Sequence, residues 1–131
     1  MIRWIMIASL CLISLEANNF REGMLAYKNG NYDKAVGFFK DAVRIDQSVN
    51  AHYILGRMYL EGEGVKKDLG LAIKLLEFAE ENGNVPSGCY LSEAYMESKT
   101  KRSYIAWGLT VGLRKNISHC KKVFQQYLTY K

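Results

Sequence analysis

The stretch AHYILGRMYLEGEGVKKDLGLAIKLLEFAEENGNVP, residues 51–86, decides the fold. Its two halves carry apolar residues at helical spacing, and between them lies a turn containing Gly62, Glu63 and Gly64. Small residues stand at fixed places, with Gly56 in the first half and Ala72 and Ala79 in the second. A glycine opposite an alanine lets two helices cross closely, so the pattern predicts an antiparallel pair, A and B. Gly83 then follows the second helix as its C-cap.

The same plan recurs on both sides. Upstream, Gly23, Gly30, Tyr32, Ala35, Phe39 and Ala42 form a first unit, in which Gly23 and Ala35 are the small crossing residues. Tyr32 and Phe39 fill the space beside them, and Lys28–Asp33 (KNGNYD) is the turn, where Asn29 and Gly30 tolerate left-handed backbone. Gly56 precedes Ala72 by 16 residues but Gly23 precedes Ala35 by 12, and the excess falls in the turn at 61–67. Downstream, a third unit begins at Ser87. Leu91 and Tyr95 repeat Leu55 and Tyr59 at an offset of 36, and Ser92 replaces the packing glycine. Beyond Met96 the match decays: SKTKR, residues 98–102, stands for the turn, and residues 104–113 supply a degenerate B helix with Ala106, Gly108 and Gly112 as small residues. Ser118 is placed as the cap of a last helix whose apolar face holds Val123, Phe124, Tyr127 and Leu128.

On these residues the chain resembles the Sel1-like and tetratricopeptide helical-repeat superfamily from about residue 20 to residue 97, most specifically in the central unit. The resemblance implies an all-α fold: a short right-handed α-solenoid of antiparallel helix pairs, one tetratricopeptide-like, one Sel1-like and one degenerate, ending in a C-terminal capping helix. It also implies an adaptor or scaffold that holds a protein or peptide partner along the concave face lined by the A helices. Arg21, Met24 and Lys28 of the first unit, and His52, Tyr53 and Arg57 of the second, are the groove candidates, being on A helices and off the small-residue stripe. Met24 and Tyr53 equally suit a core, and an exposed arginine equally suits a solvated surface.

Composition bounds the rest. A chain of 131 residues with 49% hydrophobic content, 24% charge and a single proline suits one globular domain and excludes a disordered or collagen-like chain. Residues 1–17, MIRWIMIASLCLISLEA, put Arg3 before an apolar run from Trp4 to Leu15. That run is short for a bilayer span and reads as a secretory signal peptide, leaving residues 18–131 as the repeat domain in a periplasmic or secreted, bacterial setting with no stable span after cleavage. An uncleaved anchor and a buried first helix are the alternatives. Cleavage removes Cys11 and leaves Cys89 and Cys120, which pair as a disulfide in an oxidising compartment or stay as two buried thiols.

Net charge divides sharply along the chain. Residues 18–98 sum to −3, and residues 99–131 sum to +8 with no acidic residue. Lys99, Lys101, Arg102, Arg114, Lys115, Lys121 and Lys122 make this end a basic patch that suits an acidic partner, or else a solvated cap face. Nucleic acid is disfavoured, since no nucleic-acid motif accompanies the charge.

Chemistry has thin support. Some exported Sel1-like proteins are described as penicillin-binding proteins or weak β-lactamases, so the alternative to an adaptor is that activity. Ser98–Lys101 and Ser118–Lys121 fit S-x-x-K, and Ser48-Val49-Asn50 fits S-x-N, but no K-T-G occurs. No catalytic residue is assigned. His52 and His119 lie in different units without metal-ligand spacing, so neither a metal nor a cofactor is expected. The glycines at 62 and 64 lack the GK[ST] of a phosphate loop.

Overall fold

In the computed structural model, residues 19–130 are described, and the side chains of Arg102, Ser103, Trp107 and Tyr130 are excluded from that description. The segment read as a signal peptide, Cys11 included, lies outside the described residues. Every regular element among the described residues is a helix: α1 (19–28), α2 (Tyr32–Asp46), α3 (Val49–Glu61), α4 (Leu69–Glu81), α5 (Val85–Ser98), α6 (Arg102–Arg114) and α7 (Ser118–Tyr130). None of them is long and apolar enough to cross a membrane.

Local chemistry explains where the helices begin and end. The side chains of Ser48, Asp68 and Asn84 accept the backbone N–H three residues on, capping α3, α4 and α5. Gly62, at φ 71°, ends α3 in the left-handed region, and Gly83, at φ 91°, follows α4. In the first turn only Gly30, not Asn29, takes positive φ. Ser118 is not a cap: the Ile117 carbonyl accepts from Lys121 N–H, so Ser118 already belongs to the helix.

The small residues mark the crossings. Phe39 occupies the space that a side chain on Gly23 would need, and Leu76 does the same at Gly56. Phe39, Met58, Leu76, Leu91, Ile105, Leu109 and Val123 are wholly buried along one continuous core. Each such side chain contributes about 1.5–3 kcal/mol through removal of its apolar surface from water. The third unit changes the recipe. Ser92 stands where the packing glycine is expected, its hydroxyl donating to the Gly88 carbonyl at 2.7 Å, and Gly108 opposite leaves the room it needs. Gly112 is buried as expected, whereas Ala106 points to solvent. The face of α7 also differs from expectation: Leu128 is 54% exposed, and Cys120 joins Val123 inside instead. Helix periodicity puts Leu128 about 140° from Val123, too far round to reach the same contact.

Helices that follow one another in sequence pack as neighbours. In addition α3 meets α5 and α5 meets α7, so consecutive A helices touch and present a shared face.

Candidate interaction site

On α3 the third-to-fourth-residue spacing brings Tyr53, Arg57 and Glu61 to one side; on α5 it does the same for Tyr90, Glu93 and Glu97. Where these helices touch, the side chains join into a row. The Arg57 guanidinium lies 4.9 Å from the Tyr90 ring centre and 5.7 Å from that of Tyr53. Tyr53 and Tyr90 meet edge to face, and Tyr90 stacks on His119 of α7 with centres 3.6 Å apart. His119 Nε2 lies 2.9 Å from Glu93 Oε2.

The row has an acidic margin. Glu61 approaches Arg57 at 3.9 Å, Glu63 accepts a 2.8 Å hydrogen bond from the Tyr27 hydroxyl, and Glu97 pairs with Lys67. Burial, then the bond to Glu63, pushes the Tyr27 hydroxyl up to about 12, so it remains a hydrogen-bond donor throughout the physiological range. Between α5 and α7 an open cleft of about 360 Å³ is lined by Glu93, Met96, Glu97, Gln126 and Thr129.

Of the six groove candidates, only Tyr53 and Arg57 stand in this row. His52 does not: it is buried at 8% exposure and stacks on Phe78 of α4, with Nδ1 2.8 Å from the Ser48 carbonyl oxygen. One residue of helix is about 100° of rotation, which carries position 52 from the shared A-helix face into the hairpin interior. Met24 is half-buried against the core, while Arg21 and Lys28 are exposed on α1. Tyr90, Glu93 and His119 escaped the sequence reading. The offset of 36 that pairs Leu55 with Leu91 also sets Glu93 at the place of Arg57, so carrying the register one unit further finds that face.

The basic residues do not form one patch. Lys101 is held by Glu77 at 2.6 Å and also donates to the Tyr95 hydroxyl at 3.1 Å, while Tyr95 donates to Glu77. Lys99 and Lys101 stand at the start of α6, whereas Arg114, Lys115, Lys121 and Lys122 surround the turn at its other end. Thirteen residues of helix, about 20 Å, separate the two groups. The side chain of Arg102 lies outside the described residues.

Cys89 and Cys120, both fully buried, stand at disulfide-bonding distance with Cα atoms 5.0 Å apart, between α5 and α7. Gly112 of α6 leaves the space in which the sulfurs sit.

The serine–lysine arrangements do not assemble as catalytic pairs. The Ser98 hydroxyl lies 2.8 Å from that of Thr100, whereas the Lys101 ammonium is turned to Glu77. Hydrogen bonds to Glu77 and Tyr95 raise the Lys101 pKa, the opposite of what a lysine base requires. Ser118 and Lys121 are both exposed, and Ser48 is occupied as a helix cap. Among the described residues no group of three metal-binding side chains comes together.

Comparison with known proteins points to the central hairpin. The family model for the Sel1 repeat matches residues 49–84. No curated protein and no solved structure matches the chain. The chain carries a Sel1 repeat at its centre, where Gly56, the Gly62–Gly64 turn and Ala72 close the hairpin, within an all-helical fold consistent with a Sel1-like, tetratricopeptide-like repeat protein.

Proposed function

We propose that this chain is an exported, non-catalytic adaptor: a short right-handed solenoid that holds a protein or peptide partner across its A helices. The observation that carries the reading is the row of partly exposed Tyr53, Arg57 and His119 across α3 and α7, set over the buried Tyr90 ring of α5. Aromatic and arginine side chains give large contact area and directional hydrogen bonding at interfaces. The Sel1 repeat adds support, because Sel1 repeats commonly mediate protein–protein interaction and their family is generally non-catalytic. Arg21, Met24 and Lys28 extend the contact along α1, and the exposed Arg114, Lys115, Lys121 and Lys122 give a second contact for an acidic partner. Export accords with the cysteine pair, because bonded cysteines persist in oxidising compartments such as the periplasm or the extracellular space.

The test compares affinity capture from the native host by the full chain and by its Tyr53→Ala/Arg57→Glu variant. A partner retained by the first and lost by the second, with helix content unchanged, supports the reading. Equal capture by both, or none by either, overturns it. The export reading is tested by N-terminal sequencing of the natural protein: an N-terminus at residue 1 refutes cleavage.

A further inference from the structure

The last of the described helices, α7, has an outward side that is not uniformly polar. Leu128 is 54% exposed there, with Phe124 half-buried beside it. Near the helix start this side carries the exposed Lys121 and Lys122, for which no ion pair is formed within the chain among the described residues. Near its end it borders the cleft where Gln126 and Thr129 face Glu93, Met96 and Glu97. Exposed cations therefore lie near the start of α7 and exposed Leu128 near its end, about 12 Å of helix from Lys121 to Thr129, with the Glu97 carboxylate of α5 across the cleft from Thr129.

A surface with that polarity is complementary to itself once reversed. We propose that α7 is a self-association surface, on which two copies of this chain pair with their α7 helices antiparallel about a two-fold axis near Gln125. Such an interface is isologous, each patch meeting its own copy, so every contact is made twice. The arrangement sets Lys121 and Lys122 of each copy beside residues 128 and 129 of the other, within reach of the Glu97 carboxylate across the cleft. Leu128 is covered at the same time. Glu97 and Glu93 already face Lys67 and His119, but their side chains remain 43% and 30% exposed, so an incoming ammonium can share them. Antiparallel pairing also sets each helix start against the other's end, which favours the two helix dipoles. The proposal rests on reading the basic end as an interaction surface and names its acidic partner as a second copy. It does not depend on the Tyr53–Arg57 row.

The experiment is sedimentation of the purified chain at low and high salt, with three variants. The wild type is expected to dimerise at low salt, and the dimer to weaken as salt rises. Lys121→Glu/Lys122→Glu should loosen the dimer roughly tenfold or more, by putting like charges in contact. Adding Glu97→Lys to that variant should restore it, a rescue that mere structural damage does not give. Leu128→Glu, at an exposed position, serves if the lysine reversal lowers helix content. A wild type that stays monomeric at low salt overturns the proposal, as does a dimer indifferent to salt and to all three variants. If the monomer still captures an acidic protein through Lys121 and Lys122, the basic end is an interaction surface and only the second copy is refuted. If it captures nothing, both readings fail.

Discussion

Gly112→Ala tests how closely the last three helices are locked together. A methyl group at this position would come within 2.6 Å of Cys89 Sγ, closer still to Cys120 Sγ, and within 3.0 Å of Cys120 Cβ. Neither sulfur is the free end of a flexible chain, since they are fully buried and lie against each other between α5 and α7. Inserting a methyl into such packing costs about 1–3 kcal/mol. If the strain separates the sulfurs instead, the chain loses the constraint on a 31-residue separation, roughly 3–4 kcal/mol in the chain-entropy account. Against this, alanine in a helix interior recovers up to about 1 kcal/mol over glycine. Overlap with both sulfurs puts the packing cost at the upper end of its range, so the balance is a net loss of about 2–3 kcal/mol, or several degrees in Tm at roughly 4 °C per kcal/mol for a domain of this size. Thermal unfolding followed by far-ultraviolet circular dichroism, with and without reductant, measures it. The oxidised variant should melt below the oxidised wild type, and reductant should narrow the gap, because separate thiols can turn aside. A variant as stable as the oxidised wild type, or more stable, would refute the packing argument.

Three further predictions address other parts of the molecule. Gly64→Ala should destabilise the fold by about 1–3 kcal/mol in urea titration, because φ is 70° there and the new methyl would meet the Tyr32 backbone; Gly37→Ala, on an open face of α2, should be neutral or stabilising by up to about 1 kcal/mol. Burial works to raise the Glu77 pKa, but hydrogen bonds from Lys101 and Tyr95 outweigh it and hold it below the usual 4.5, while the same network lifts Lys101 above 10.5. A depressed carboxylate stabilises above its unfolded pKa and is lost as pH falls through the folded value; a raised lysine stabilises below its unfolded pKa and is lost as pH rises through the folded one. Glu77→Gln should thus lower stability by about 1 kcal/mol at neutral pH, with the gap closing in acid, and an equal gap at all pH values would contradict the network. Finally, a chromogenic β-lactam should be neither hydrolysed nor attached to the protein, and Ser98→Ala should leave that result unchanged; an acyl adduct at Ser98 in the intact mass would reverse it.

Much of the helical arrangement was legible because helix signals are local. The small residues at 23, 56 and 72 and the glycine turn each act within a turn or one hairpin, and the structure places helices where they predict them; the N-caps Ser48, Asp68 and Asn84 went unread, and Ser118, read as one, lies inside its helix. The third unit was readable only in outline. There Ser92 replaces the packing glycine, and Gly108, which follows Ala72 by the same offset of 36, makes the room that Ser92 needs; the offset marks Gly108 as small but not that a serine hydroxyl fills the crossing.

The candidate site was read less completely. Helical periodicity by itself determined that 53 and 57 share a face, but not whether 52 or 53 turns inward, since that depends on where α4 docks. Phe78 decided it for His52. The charge total was likewise a property of the sequence, and its partition was not. Lys101 is matched by Glu77, 24 residues away, and Lys67 by Glu97, 30 away, while Lys121 and Lys122 remain exposed. Sequence alone determined the helices, their hairpin spacing and the supply of charge, because these depend on neighbours along the chain. Tertiary structure decided which charges stay free and which rings form a row, because those depend on which helix faces meet.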